Sequence, residues 1–164
     1  MLLSLTDEER VIAPNDKESR LAVRADIESY ADNLKAYAGS ERGEMDEINE
    51  KGLSEYIIGG AYTRILDVPA GVTIVSELWK SERLWIIISG EVLIKTEQGD
   101  KHIVAPYIAE APYGSKVALY AITDTKWAAI TGVKTEELEE IKEEVIAKDY
   151  SEFVYDWELL EDKK

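Results

Sequence analysis

Leu84-Trp85-Ile86-Ile87-Ile88-Ser89-Gly90-Glu91-Val92-Leu93-Ile94-Lys95-Thr96-Glu97-Gln98-Gly99-Asp100-Lys101-His102-Ile103-Val104-Ala105 holds three short runs rich in β-branched and aliphatic residues, broken at Ser89-Gly90 and again at Glu97-Gln98-Gly99-Asp100. Runs of this length, each closed by a glycine-bearing turn, predict strands joined by turns rather than helices. The pattern extends both ways. Upstream, Tyr56-Ile57-Ile58 ends at Gly59-Gly60, residues 61–68 end at Pro69-Ala70-Gly71, and residues 72–79 follow. Downstream come Tyr107-Ile108-Ala109, residues 117–122 and residues 127–131, with Pro106 and Pro112 suited to strand ends or edges. Many short strands with no helix between them predict a mainly β domain, a sandwich or small barrel, over residues 51–132.

The flanks read differently. Leu21, Val23, Ile27, Tyr30, Ala31 and Leu34 recur at helical spacing, so a helix is expected over about 20–38, with Gly39 as its stop. Residues 40–50 are polar and glycine-marked and read as a loop. Asp46 and Glu47 lack the regular oxygen-ligand spacing of a calcium loop. After residue 132, Thr135-Glu136-Glu137 suggests a cap and an acidic first turn, and Leu138, Ile141 and Val145 continue a helical stripe towards Lys148. Phe153, Tyr155, Trp157, Leu159 and Leu160 are too apolar for a free tail. Two fates stay open for it: folding back on the barrel, or docking on another subunit or partner. The expected organisation is an N-terminal helical extension over 1–50, the β domain over 51–132, and an acidic helix with an aromatic tail over 133–164.

The 164 residues carry 19 Lys and Arg against 34 Asp and Glu, a net charge of -15. The excess is uneven: residues 1–50 hold 6 basic and 13 acidic, residues 51–132 hold 8 and 9, and residues 133–164 hold 5 and 12. Direct contact with nucleic-acid phosphates runs on basic charge, so it is not expected, nor is attraction to anionic membranes. The acidic flanks fit either plain solvation or a basic protein partner. The absence of cysteine removes disulfides, thiolate catalysis and Cys-based metal sites. The first residues lack a signal-peptide pattern, and no apolar run is long enough to span a bilayer, which sets a cytoplasmic expectation.

Between residues 53 and 132 the chain resembles a cupin, the jelly-roll family, and in particular the small cupin-like proteins encoded in phage genomes. The resemblance is carried by Gly60-Ala61-Tyr62-Thr63-Arg64, Val68-Pro69-Ala70-Gly71, Ser89-Gly90-Glu91-Val92, Ala105-Pro106-Tyr107, Ala111-Pro112-Tyr113-Gly114-Ser115-Lys116 and Asp124-Thr125-Lys126-Trp127, in that order. It implies a cupin-type jelly roll, a homodimer and, for a phage-encoded chain, the host cytoplasm. Cupins of this kind hold a metal with His residues and a Glu. In the corresponding window, Trp79-Lys80-Ser81-Glu82-Arg83, Trp79 and Arg83 stand where His residues would be, and Glu82 keeps the carboxylate. The later His is replaced near Thr131, and His102, alone in the chain, lies at the start of another strand. Imidazole ligands are what such sites need, so the resemblance comes with a lost metal site and no cofactor. An all-oxygen site from Glu77, Glu82 and Glu91 would need three separate segments to meet.

Period-two alternation turns Trp79, Glu77, Val75 and Thr73 inward together, and Trp85 and Ile87 with Arg83. Trp79, Glu82, Arg83, Trp85 and Tyr120 are therefore the candidate ligand-binding residues. The indoles would stack on a planar or apolar ligand, and Arg83 would bind its carboxylate or phosphate. The competing reading has Trp79 and Trp85 plug the barrel, with Arg83 paired to Glu82 or Glu77. Three functions follow: a non-metal, non-catalytic binding protein for a small anionic or aromatic ligand; a structural or protein-interaction module; and a metal-independent enzyme using Glu82, Arg83 and Tyr120. For the last, no serine shows His–Asp support, and no phosphate loop is present.

Overall fold

A computed structural model describes residues 17–38, with side chains through residue 32, and residues 52–153. Helix α1 spans Lys17–Ala38, and ten strands follow: β1 Leu53–Ile58, β2 Ala61–Val68, β3 Thr73–Val75, β4 Leu78–Trp79, β5 Arg83–Ser89, β6 Glu91–Thr96, β7 Gly99–Val104, β8 Tyr107–Ala111, β9 Ala118–Ala121 and β10 Thr125–Gly132. A helix at Leu138–Val145, here α2, then leads into β11 at Ile146–Ala147 and a 3₁₀ turn at Tyr150–Glu152. The expectations for residues 40–50 and for Tyr155, Trp157, Leu159 and Leu160 lie outside the described residues.

One sheet has the order β1-β2-β10-β5-β8 and the other β3-β9-β6-β7, while β11 pairs with β4 on its own. All pairings are antiparallel. Without β1, these are the two four-stranded sheets of an eight-stranded jelly roll, the arrangement used by cupins. The chain is thus a mainly β, cupin-like sandwich flanked by an N-terminal and a C-terminal helix. Its main core lies between the sheets, where Trp85, Ile87 and Trp127 from one meet Ile74, Val92, Ile94 and Leu119 from the other. The Ser89-Gly90 turn that marks the β5–β6 boundary has a direct cause. Gly90 has φ +98°, and a Cβ there would lie 2.4 Å from Thr125 Oγ1 and 2.5 Å from the Asp124 carbonyl.

Helix α1 lies on the outer face of the smaller sheet, with Ile27 and Ala31 packed on Val75 and Ala118. It is anchored by Glu97, 4% exposed in the β6–β7 turn, which accepts from Arg24 Nε at 3.0 Å and lies 3.6 Å from Arg20. Val75 therefore faces α1, and Ile74 enters the core. That reverses the expected inward set on this segment, because the break at Ser76-Glu77 between β3 and β4 resets the alternation. Helix α2 begins at Leu138 rather than at Thr135, since the Thr135 hydroxyl accepts the Glu137 N–H and forms a turn ahead of it. Its buried Ile141 and Val145 pack on Tyr62 and Trp79. The following β11 is zipped to β4, with Ile146 opposite Trp79 and Ala147 opposite Leu78. Phe153 is buried with Leu78 and Ala147, and its ring meets Tyr113 edge-on at 5.0 Å.

Candidate functional site

The inner face of the larger sheet turns polar at the end covered by α2. Along β2, the residues sharing the inward parity of Leu66 and Val68 are Tyr62 and Arg64. Thr131 lies opposite Tyr62 and Ala129 opposite Arg64 on β10, while Trp85 lies opposite Ala129 on β5. Arg83, two residues before Trp85, has the same orientation and starts β5 opposite Ala111. Strand pairing thus gathers Tyr62, Arg64, Arg83 and Thr131 at one end of the barrel.

Arg83 is 5% exposed. One of its nitrogens, Nη1, donates to Ser115 Oγ at 3.0 Å, and its guanidinium carbon lies 4.8 Å from the centre of the Trp79 ring. No described carboxylate is within ion-pair distance of it, so the expected pairing with Glu82 or Glu77 is not formed. Burial pushes the guanidinium down from its ordinary value to about 9, which leaves it charged at neutral pH. Arg64 approaches the same indole, at 5.9 Å, and lies 3.6 Å from Glu55. Glu55 also accepts a short hydrogen bond from the Tyr62 hydroxyl. Burial, then that hydrogen bond, push the Tyr62 phenol well above its usual range, so it stays protonated.

Arg64 Nε, ion-paired with Glu55 but without a hydrogen bond, and Ser81 Oγ in the β4–β5 connection are buried here, and Trp127 Nε1 is a further unpartnered donor in the main core. An acceptor-rich molecule is the kind of group such a set can satisfy.

Of the five candidate residues, the structure brings Trp79 and Arg83 together, while Trp85 shares the inward face of β5 with Arg83 but packs in the main core. Trp79 is 4% exposed and packs beneath α2, while Trp85 stacks edge-on with Trp127 at 6.0 Å. Glu82 sits exposed at the turn before β5, where its carbonyl accepts from the Thr131 hydroxyl. Tyr120 does not join them. It is 41% exposed on the outer face of β9, opposite Thr73 and Leu93, because Leu119 and Ala121 take the inward positions. Tyr62, Glu55, Arg64 and Ser115 are the neighbours that sequence reasoning missed. The available signal was Arg64, a charge among Tyr62, Leu66 and Val68 on the inward parity of β2.

Among the described residues, no three His, Asp or Glu side chains gather to hold a metal ion, and Glu77, Glu82 and Glu91 do not assemble. His102 is exposed and its Nε2 lies 2.6 Å from Glu91. No described helix is long and apolar enough to cross a membrane.

No family model matches the chain, and no curated protein matches it. Among solved structures it is similar to a cupin superfamily protein from Desulfitobacterium hafniense, at 15% identity and a TM-score of 0.43 over 51% of this chain and 80% of that one. It is similar also to an RmlC-like cupin family protein with a double-stranded β-helix fold from Methanocaldococcus jannaschii, at 15% identity and a TM-score of 0.43 over 49% and 78%. A third likeness is to the cupin domain of Schizosaccharomyces pombe Cnp3, at 12% identity and a TM-score of 0.44 over 54% and 68%. The strand order carries the assignment of the fold, and these likenesses add no chemistry to it.

Proposed function

We propose that this chain is a metal-independent binding domain for a small anion, received by Arg83, Ser115 and the Trp79 face at the α2-covered end of the jelly roll. The observation that carries the reading is the burial of Arg83 without a described carboxylate partner. A buried charge in that state is costly, and an anion supplied by a ligand offsets the cost. Trp79 and Tyr62 make the surroundings suited to a planar or apolar body on that anion. The partner classes that follow are small carboxylates and phosphates.

A second reading is favoured by a different observation. Trp79 packs on Tyr62, Ile141 and Val145, which is the packing of a structural plug. In that reading the domain works through its exterior.

The test is a thermal-shift series with benzoate, acetate and inorganic phosphate, each against sodium chloride at equal ionic strength. The anion reading expects at least one of them to raise the melting temperature of the native chain beyond the salt control, and to have no such effect on Arg83→Met. A ligand at 100 times its Kd stabilises by about 2.7 kcal/mol, well within detection. If no anion exceeds the salt control, the plug reading replaces it.

A further inference from the structure

Two segments close the Arg83 end of the jelly roll. The first is a cover, residues 146–153. In it Ile146 pairs with Trp79, and Tyr150 packs with Leu78, Ala147 and Phe153. Just ahead of it, the Val145 carbonyl accepts from the Lys80 amide at 2.7 Å. The second is a loop, residues 112–117, which carries Ser115, the hydroxyl that accepts from Arg83. Loop and cover meet where Tyr113 touches Phe153, and the Gly114 amide donates to the Trp79 carbonyl at 2.9 Å.

Helix α1 reaches both segments, although it lies on the outside of the sandwich. Its Arg24 side chain donates to Glu97 at 3.0 and 3.4 Å, and its guanidinium carbon lies 3.9 Å from the centre of the Tyr150 ring. The carboxylate takes the edge of the guanidinium and leaves its flat face for the ring. One turn later, Glu28 accepts from Lys116 Nζ at 2.8 Å, next to Ser115 in the chain. Residues four apart share a helix face, so a single face of α1 grips the cover and the loop together. Ile27 and Ala31 press the helix onto Val75 and Ala118.

We propose that α1 is a latch, in which Arg24 and Glu28 are positioning residues that hold the cover and the Ser115 loop closed over Arg83. Docking of α1 and closure of that end are then one coupled event. With α1 docked, the cover has a cation on Tyr150 and the loop has a carboxylate on Lys116; with α1 released, both contacts are lost. Such a difference in contacts between two states is a coupling free energy, and it is reciprocal: what loosens the cover loosens α1. A passive buttress, held only through Ile27 and Ala31, would leave the cover indifferent to the helix. The latch consists of contacts within the chain and holds whether or not an anion binds Arg83.

Native-state hydrogen exchange on the full chain tests the coupling. The Lys80 amide reports the cover, the Ile27 amide reports α1, and amides of β6 and β9 report global unfolding. Ile27→Ala weakens the seat of α1 and alters neither Tyr150 nor Lys116. Relative to β6 and β9, it is expected to speed exchange at Lys80 about tenfold. Tyr150→Leu removes the ring from Arg24 and is expected to speed exchange at Ile27 by a similar factor. Tyr150→Phe keeps the ring and is expected to exchange as the native chain does. Labelling of Arg83 by phenylglyoxal, read by peptide mass, is expected to quicken in Ile27→Ala and Tyr150→Leu alone. Native exchange at Lys80 in Ile27→Ala overturns the proposal, as does native exchange at Ile27 in Tyr150→Leu. So does a Tyr150→Phe chain as loose as Tyr150→Leu, or Arg83 labelling that keeps its native rate. Should Ile27→Ala not fold, the two Tyr150 variants decide. None of these readouts uses a ligand, so a failed anion series leaves them standing and their failure leaves the anion series standing.

Discussion

The Arg83 guanidinium, buried with one hydroxyl and one indole for company, works against stability in the unliganded chain. Arg83→Met keeps most of the volume and removes the charge. It is expected to be more stable than the native chain at pH 7 by about 1–3 kcal/mol, measured by urea unfolding. The pH dependence has a definite sign. The folded value of about 9 lies well below the ordinary guanidinium value, so between those limits the unfolded chain binds more protons and native stability rises with pH. Below pH 9 the charged form is present in both states and the full penalty stands. The advantage of Arg83→Met should therefore shrink from about pH 8 to about pH 10.5. A variant less stable than native at pH 7 would mean that the Trp79 face and Ser115 already compensate the charge. Arg83 and Trp85 were legible in the sequence because a strand alternates about a single parity. Tyr120 was not, since Ala118-Leu119-Tyr120-Ala121-Ile122 is apolar on both parities and either could have faced inward.

At the scale of elements, the helix periodicity of α1 and the turn residues between strands were readable directly, because helix pitch and positive φ leave local marks. What holds α1 in place left no such mark. Glu97 looks like an ordinary turn residue in Glu97-Gln98-Gly99, yet it is buried and receives Arg24 from a helix 73 positions away. Glu97→Ala removes the carboxylate from that guanidinium, which also lies over the Tyr150 ring at 3.9 Å, and is expected to cost about 2–4 kcal/mol. Hydrogen exchange supplies the diagnostic readout: amides around Ile27 should lose protection, while those of β6 and β9 fall only by the global loss of stability. Equal loss everywhere would show that α1 is no separate unit. The mistaken inward set over residues 73–79 has a similar origin. Two short strands, β3 and β4, were read as one, and alternation does not survive the break between them.

For the whole molecule, the excess charge belongs to the flanks, with residues 51–132 nearly balanced at 8 basic and 9 acidic. Self-repulsion between acidic segments is screened as the Debye length falls from roughly 20 Å to roughly 7 Å between about 0.02 and about 0.2 M salt. The melting temperature is expected to rise over that interval in scanning calorimetry. A fall would show that ion pairs such as Arg24–Glu97 outweigh the repulsion. The jelly roll itself came through in the sequence as a count of strands and turns. The sheet order did not, since it depends on which strands become neighbours. That order also bears on how the protein is made. Every strand of the two sheets precedes α2 and β11 in the chain, and those two elements form the cover over Tyr62 and Trp79. A growing polypeptide on the ribosome can close both sheets while the Arg83 end is still open to water. Sealing that end waits for α2 and β11, so the burial of Arg83 comes after the sheets that carry it have closed.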